Sequence, residues 1–266
     1  MDTFKLKLFA IIAMLIDHIA IIFISPYTNY WLYVTCRGIG RLAFPIFVFL
    51  IVEGFYHTKN IKKYLMRLGV FALISELPYD LAFFKYHNGI DVVPILKNMF
   101  HSTDDFSILL NGFNEGQNVF FTLFLGLSLI TIMDLIDKKF DNNNRKNIIY
   151  SNSIMGAFIV AFCIAADYMK TDYDYAGILM IVVFYLFRGS KVLIAISILI
   201  ISGTILSDFP SFVQTHNFYA MISTLATLAM IPIAFYNGEK GKSVKYLFYI
   251  FYPAHLFCLF LVAQFI

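Results

Sequence analysis

Long apolar runs, each bounded by polar residues, glycine or proline, dominate the hydropathy pattern of this chain. An apolar helix needs about 20 residues to cross the hydrocarbon core of a bilayer, and most of the runs approach that length. The pattern therefore predicts an all-α bundle of about nine transmembrane helices, of which the sixth and seventh are short. Their expected positions are, roughly, residues 6–24, 38–56, 62–84, 118–137, 150–167, 174–188, 191–207, 216–236 and 245–265.

The distribution of basic residues predicts how these helices are oriented. Cytoplasmic loops of membrane proteins carry an excess of lysine and arginine. If the N-terminus is cytoplasmic and the C-terminus is external, most of the 20 basic residues lie on the cytoplasmic side. The exceptions are Arg37, Arg41, Lys85, Lys97 and Lys170.

The composition agrees with a membrane protein, since 60% of the 266 residues are hydrophobic and only 14% are charged. Soluble domains carry about 25% charged residues. No stretch of soluble-domain length separates the apolar runs, so we expect residues 1–266 to form a single transmembrane domain. Topology explains the net charge of +3, and we expect no binding to nucleic acid. The spacing of the three cysteines does not indicate a metal site, so we expect no metal.

Two adjacent ionisable residues, Asp17 and His18, lie in the middle of the first apolar run. Ionisable groups are costly in a bilayer unless they are paired or face a wet cavity, so they indicate a functional site. His255 is expected at a similar depth in the last run, where it could line the same cavity. A neutral histidine is a suitable general base near neutral pH. Adjacent helical residues point about 100° apart, so His255 or an acidic residue on another helix is an alternative to Asp17 as the group that orients His18. The structural alternative is that Asp17 and His18 only tie helices together.

Charged residues also occur in the second and third runs. Arg37 and Arg41 lie one helical turn apart at the expected outer end of the second run. Glu76 and Asp80 share one face of the third helix, and two carboxylates need a nearby cation, for which Arg37 or Arg41 is the expected partner. These four residues form either a structural ion-pair cluster or an outer binding site for an amine.

Other polar residues lie near the ends of the runs. Asn118 opens the fourth run near the outer surface, and Tyr252 in the last run is deeper than an interfacial anchor should be, so both are candidate substrate ligands. Near the cytoplasmic end of the second run, Glu53 could pair with a loop lysine, or Glu53 and His57 could meet a polar ligand that enters from the cytoplasm. The loop 85–117 is long enough to cover an external entrance or to be a simple connector.

Several segments, taken together and in this order, resemble the TraX family of bacterial membrane proteins over nearly the whole chain. They are LIDHIAIIF (15–23), RGIGRLAFPIFVFLIVEGF (37–55), ALISELPYDLAFF (72–84), NVFFTLFLG (118–126) and FYPAHL (251–256). The resemblance implies a multi-pass protein of the bacterial cytoplasmic membrane with acetyltransferase activity, since the name-giving members are associated with N-terminal acetylation of conjugative pilin. A fainter similarity links Lys7 and His18 to wider transmembrane acyltransferases, some of which have a basic residue and a histidine at this spacing in their first helix.

The resemblance further implies acetyl-CoA as the acyl donor and pilin, a surface glycan or another amine or hydroxyl as the acceptor. His18 would be the general base, with Asp17 or His255 supporting its charged form. The residues expected to meet coenzyme A are Lys7, Lys59, Lys63, Arg67, Glu53 and His57. The alternative function is a proton-coupled transporter, because buried Asp, Glu and His side chains serve as proton relays.

Overall fold

A computed structural model describes residues 1–98, 104, 107–108, 116–140, 144–215, 217–242 and 245–265. This part of the chain is helical, and its one extended pairing is an isolated bridge between Gln117 and Thr171. A 3₁₀ helix, Phe218–Ala229, precedes α11. The α-helices are α1 (Thr3–Phe23), α2 (Tyr30–Gly40), α3 (Ala43–His57), α4 (Ile61–Asn88), α5 (Val92–Asn98), α6 (Val119–Lys139), α7 (Arg145–Tyr168), α8 (Asp174–Leu186), α9 (Lys191–Thr204), α10 (Phe209–Thr215), α11 (Met230–Ala234) and α12 (Lys245–Ala263).

The described helices are typical of a multi-pass membrane protein, and the prediction of an all-α bundle is confirmed. In the part of the chain that the structure describes, five segments are long and apolar enough to cross a membrane, namely α1, α2 with α3, α6, α7 and most of α12. A sixth is added if α9 and α10, which meet at 63°, form one broken span. This is fewer than the nine spans predicted. The helix α4 carries charged residues along its length, while α8 and the segment Phe218–Ala234 are short.

The second membrane segment begins earlier than its predicted start at residue 38. It extends over Tyr30–His57 and is interrupted between α2 and α3. The interruption lies at Arg41, four residues before Pro45. A proline ring clashes with the carbonyl group four residues earlier, so Pro45 explains the break at this position. Arg37 and Arg41 therefore lie inside this candidate segment, seven and eleven residues after Tyr30, and not at its start as the predicted bounds implied.

The helix α1 is surrounded by the elements that carry the other candidate residues. It packs against α2, α3, α4 and α12, while α4 packs against α6 and α12. Gly40 permits the close approach of α2 to α1, because a Cβ atom at this position would overlap the side chain of Asp17. The helix α7 is peripheral, since Ser151 and Ala166 are its buried residues.

Local capping fixes two of the helix starts that position the site. The helix α1, which carries Asp17 and His18, is capped at its start by Asp2. Its Oδ1 atom accepts a hydrogen bond from the Lys5 backbone N–H at 2.8 Å. The helix α6 begins after Asn118, whose Oδ1 accepts from the Phe120 N–H at 3.1 Å. Of the loop 85–117, the structure describes the end of α4, the short α5, and residues 104, 107–108 and 116–117. Most of residues 99–115 are outside the described residues, and with them the prediction of a cover over an entrance.

Candidate functional site

The two buried histidines of the sequence lie against each other. His18 Nδ1 is 2.7 Å from His255 Nε2, within hydrogen-bond distance. The rings stack with centroids 5.0 Å apart and planes 6° from parallel. The structure thus brings α1 and α12 into contact at His18 and His255.

A third contact determines which nitrogen atoms of this pair carry protons. His255 Nδ1 lies 2.8 Å from the carbonyl oxygen of Phe251, which can only accept a hydrogen bond. His255 therefore carries its proton on Nδ1, and its neutral Nε2 accepts the Nδ1 proton of His18. This arrangement leaves Nε2 of neutral His18 with a free lone pair, which is the form that a general base requires.

Asp17 is engaged by two arginines of the second membrane segment. Arg37 Nη1 lies 2.6 Å from Asp17 Oδ2, and Arg41 Nη2 lies 3.2 Å from Oδ2 and 3.3 Å from Oδ1. Buried charges are normally paired in this way. The expected pairing of Arg37 or Arg41 with Glu76 and Asp80 was therefore wrong. Since the carboxylate of Asp17 is bound by both arginines, His255 is the residue that orients His18.

A cavity of about 230 Å³ lies beside these groups and is lined by His18, Asp17, Arg37 and Arg41. Tyr252 also lines it, in agreement with its unusual depth in the sequence. Further polar residues on this wall were not singled out from the sequence. They are Tyr79, Tyr86, His87, Asp172 and Tyr173. Tyr79 lies within α4, and the others lie at the end of that helix or in the segment before α8.

Asp172 lies in the loop between α7 and α8 and brings a second carboxyl group to the smaller cavity. Burial raises the pKa of Asp172 to about 6, although the positive charge of Arg41 acts in the opposite direction. The loop is fixed by Gln117, whose backbone carbonyl accepts the Asp172 N–H at 2.8 Å. A hydrogen bond from the Thr122 hydroxyl to the Asp172 carbonyl adds to this restraint.

A larger cavity of about 570 Å³ lies toward the Lys7 end of α1. The cations on its wall are Lys7, Arg67, Lys240 and Lys242. Glu53 and His57 line the same cavity. Among the four cations, Arg67 has a buried Nε atom without a hydrogen-bond partner in the described structure. Lys240 and Lys242 entered the sequence interpretation only as indicators of topology.

The two cavities share part of their walls. Met14, Phe47, Val119 and Tyr252 line both of them. Met14 lies one helical turn from His18 on α1, so the histidine is next to this shared wall. A group held in the larger cavity and a group held in the smaller cavity can therefore approach each other near His18.

The remaining predicted residues lie away from these two cavities. Lys59 and Lys63 line neither cavity, and Lys63 is exposed in the first turn of α4. Glu76 and Asn118 contact each other, because the Asn118 side-chain amide donates to the Glu76 carboxylate and, at 2.8 Å, to the carbonyl of Ala72.

Two carboxylates complete the comparison with the sequence predictions. Asp80 is buried in α4 but is not part of either cavity wall. Glu53 Oε1 accepts a hydrogen bond from Arg188 Nε at 2.8 Å, so its cationic partner is an arginine between α8 and α9 and not the loop lysine that the sequence suggests. His57 Nδ1 lies 3.9 Å from the same carboxylate.

Comparison with known proteins places the chain in a family. The sequence profile described as "TraX protein" matches residues 3–263. The chain belongs to the TraX family. It is 30% identical over 260 residues to the "Probable fimbrial assembly protein FimC, serogroup H1" of Dichelobacter nodosus, with 96% of this chain and 93% of the relative covered. No solved structure matches the chain significantly. The family resemblance of the quoted segments is thus confirmed.

All five segments that carry the TraX resemblance contribute to the smaller cavity or to the histidine pair. The first gives Asp17 and His18, and the second gives Arg37 and Arg41. The other three contribute Tyr79 and Phe83 from α4, Val119 from α6, and Tyr252 and His255 from α12. The segments by which this chain is recognised as a TraX protein are therefore gathered around one site.

Proposed function

We propose that this TraX-family chain is an acetyltransferase of the bacterial cytoplasmic membrane that transfers an acetyl group from cytoplasmic acetyl-CoA to an acceptor. The acceptor presents an amine or hydroxyl group at the membrane or at its outer face. One observation carries the proposal: His18, with a free Nε2 lone pair fixed by His255, lies beside the wall shared by two cavities. The proposed orientation has the N-terminus in the cytoplasm and the C-terminus outside.

The larger cavity has the residue types that an acetyl-CoA site requires. Phosphates are held by lysine and arginine through charge-assisted hydrogen bonds. Lys7 and Arg67 provide such groups from α1 and α4, and the buried Nε of Arg67 lacks a partner that a ligand could supply. Leu50, Leu68 and Leu123 contribute apolar surface to the same cavity. A ligand with an anionic head and a less polar arm matches this distribution.

The chemistry follows from the protonation state of the histidine pair. Acetyl-CoA supplies a carbonyl carbon that is bonded to a good leaving sulfur. His18 Nε2 accepts the proton of the attacking amine or hydroxyl, and the Nδ1 proton stays hydrogen-bonded to His255. The same proton then passes from His18 to the departing sulfur, which restores the neutral base. Tyr252, which lines both cavities, is suitably placed to donate to the developing oxyanion.

The acceptor belongs to the smaller cavity, which contains Asp17, Arg37, Arg41 and Asp172 in addition to His18. The relative from Dichelobacter nodosus is named as a probable fimbrial assembly protein, and this supports a pilin subunit as one acceptor. A surface glycan with free hydroxyl groups suits the same chemistry. Either acceptor would lose a proton to His18 as it attacks.

Transfer of labelled acetyl groups provides the direct test. The purified protein in lipid nanodiscs is incubated with [1-¹⁴C]acetyl-CoA and with solubilised envelope from the source cells, and labelled products are identified by mass spectrometry. His18→Ala is expected to lower the transfer rate about 10²–10⁴-fold, the usual contribution of general acid–base catalysis. Lys62→Ala is the control, because Lys62 is exposed and lines neither cavity. Transfer by His18→Ala at the parental rate would show that His18 is not the base.

The alternative function, proton-coupled transport, is distinguished by ligand binding. A ligand that binds only the folded state raises its stability by about 2.7 kcal/mol at 100 times its Kd. An acetyltransferase is therefore expected to melt at a higher temperature in acetyl-CoA. A protein that shows neither this shift nor acetyl transfer, but acidifies liposomes in a His18-dependent manner, would be a transporter instead.

A further inference from the structure

We propose that the loop of residues 237–242, with the sequence NGEKGK, binds the phosphate groups of coenzyme A through Lys240 and Lys242. This inference rests on the proposed function, since it assigns a second set of residues to the same donor. The loop connects α11 to the region before α12, and Gly238, Lys240 and Lys242 line the larger cavity. Neither family resemblance nor residue spacing had indicated it.

The loop is held in place by the first residues of the chain. The Thr3 N–H donates to the carbonyl of Glu239 at 2.8 Å, and the Thr3 hydroxyl donates to the same oxygen at 3.0 Å. The Asn237 N–H donates to the carbonyl of Met1 at 3.0 Å. Three hydrogen bonds thus fix the first residues of the chain and the loop relative to each other. The loop is a built part of the cavity wall.

Two glycines give this loop its shape. Gly238 has φ = 80° and Gly241 has φ = 61°, in the left-handed region that residues with a side chain rarely adopt. A Cβ atom at Gly241 would lie 2.7 Å from the Cγ atom of Asp2, so the backbone approaches the start of α1 closely. These turns place Lys240 and Lys242 on the same cavity as Lys7 and Arg67.

The charge balance of the cavity favours an anionic ligand with more than one charge. Four cations line it: Lys7, Arg67, Lys240 and Lys242. Among the described lining residues, Glu53 is the one carboxylate, and its Oε1 accepts a hydrogen bond from Arg188. Excess positive charge concentrated on one cavity attracts and orients anions.

The cations of the larger cavity and the residues that it shares with the smaller cavity lie in different parts of its wall. The cations come from the end of α1, from α4 and from the loop, whereas the opposite part of the wall contains Met14, Phe47, Val119 and Tyr252 beside His18. A ligand whose phosphates lie at the loop would therefore direct its other end toward His18. Coenzyme A, with its phosphates at one end and the thioester at the other, has this chemical order.

The experiment compares two donors and two forms of the protein. Acetyl-CoA contains the phosphates, whereas acetyl-pantetheine has the same thioester without them. Dissociation constants are measured by isothermal titration calorimetry on the full chain in nanodiscs, and acetyl transfer is measured separately. Lys240→Gln/Lys242→Gln is expected to raise the Kd for acetyl-CoA about 10–100-fold, because hydrogen bonds to charged groups are among the stronger ones. The Kd for acetyl-pantetheine is expected to be unchanged.

Two further variants make the comparison sharper. Gly241→Ala keeps both lysines but strains a backbone with positive φ and displaces the loop from Asp2, so it is expected to weaken acetyl-CoA binding without affecting acetyl-pantetheine. Gly189→Ala is its matched control, since a Cβ atom there would have no neighbour within 4 Å. Lys62→Gln is the matched control for charge.

The outcomes separate this inference from the proposed function. If the double lysine variant, with an unchanged melting temperature, binds acetyl-CoA as the parent does, the role of the loop is overturned while transfer by the parent stands. If the parent prefers acetyl-CoA through the two lysines but transfers nothing, the loop assignment stands and the acetyltransferase proposal fails. If the parent binds no acetyl-CoA, both are overturned.

Discussion

Replacement of His255 by phenylalanine isolates the contribution of the histidine pair. In the parent protein, His18 Nδ1 lies 2.7 Å from His255 Nε2, which accepts its proton. Phenylalanine retains a ring of similar shape in α12 but has no atom that can accept this proton. When His18 takes up a proton from the acceptor, this hydrogen bond has a charged donor. Hydrogen bonds to charged groups contribute about 1.5–3 kcal/mol. Since about 1.4 kcal/mol corresponds to a tenfold change in rate, His255→Phe is expected to slow acetyl transfer about 10–150-fold.

His255→Gln is the informative companion, because a glutamine side-chain oxygen can replace Nε2 as the acceptor. We expect this variant to recover most of the rate that His255→Phe loses. The assay is single-turnover transfer from labelled acetyl-CoA. The tautomer of His18 is read from the ¹⁵N chemical shifts of its ring, which should show Nδ1 protonated in the parent. Parental activity in His255→Phe, or equal losses in both variants, would refute the assignment of His255 as the residue that orients the base.

Three further predictions concern the stability of the charged cluster and its loop. Asp17→Asn leaves Arg37 and Arg41 without their carboxylate. Because breaking a buried ion pair usually costs about 3–5 kcal/mol, the melting temperature of this variant in detergent should fall. A melting temperature equal to that of the parent would contradict the pairing. Gly40→Ala should also lower the melting temperature, because the new methyl group overlaps the side chain of Asp17. An unchanged melting temperature would show that α2 does not approach α1 this closely. Because burial raises the pKa of Asp172 to about 6 from 3.8, its contribution to stability is fully present below the lower value and is lost as the pH rises through the higher one. The melting temperature of the parent should therefore decrease as the pH rises from 3.8 to about 6, and Asp172→Asn should not show this decrease. Identical pH profiles of the two proteins would refute this role of Asp172.

The sequence contained enough information to pair the two histidines. Both were expected at a similar depth, because they lie about ten residues after Lys7 and Lys245, and the structure places them in contact. The divergence of Asp17 from His18 also followed from helical geometry. The residue that Asp17 meets did not, because the start of the second membrane segment was placed at residue 38 and its arginines were assigned to the surface.

The contribution of the 237–242 loop could not be derived from hydropathy. Its lysines resemble ordinary topology signals in sequence. The loop is held at the cavity by contacts with the first residues of the chain: Asn237 donates a hydrogen bond to Met1, and Glu239 accepts two from Thr3. The interruption between α9 and α10 and the 3₁₀ helix Phe218–Ala229 were likewise invisible to an apolar pattern, which measures the length of a run but not the direction of its backbone. Contacts distant in sequence determine these features.

The shared wall of Met14, Phe47, Val119 and Tyr252 has a consequence for the energy of the cell. Each elementary charge that leaks across a membrane potential of 100 mV dissipates about 2.3 kcal/mol. Met14, Phe47 and Val119 are apolar, so this part of the wall has no charged group that would guide an ion from one cavity to the other. The proton path from His18 ends at the Phe251 carbonyl, which holds no exchangeable proton. Under the proposed function, an acetyl group could pass from one compartment to the other without an electrical short circuit.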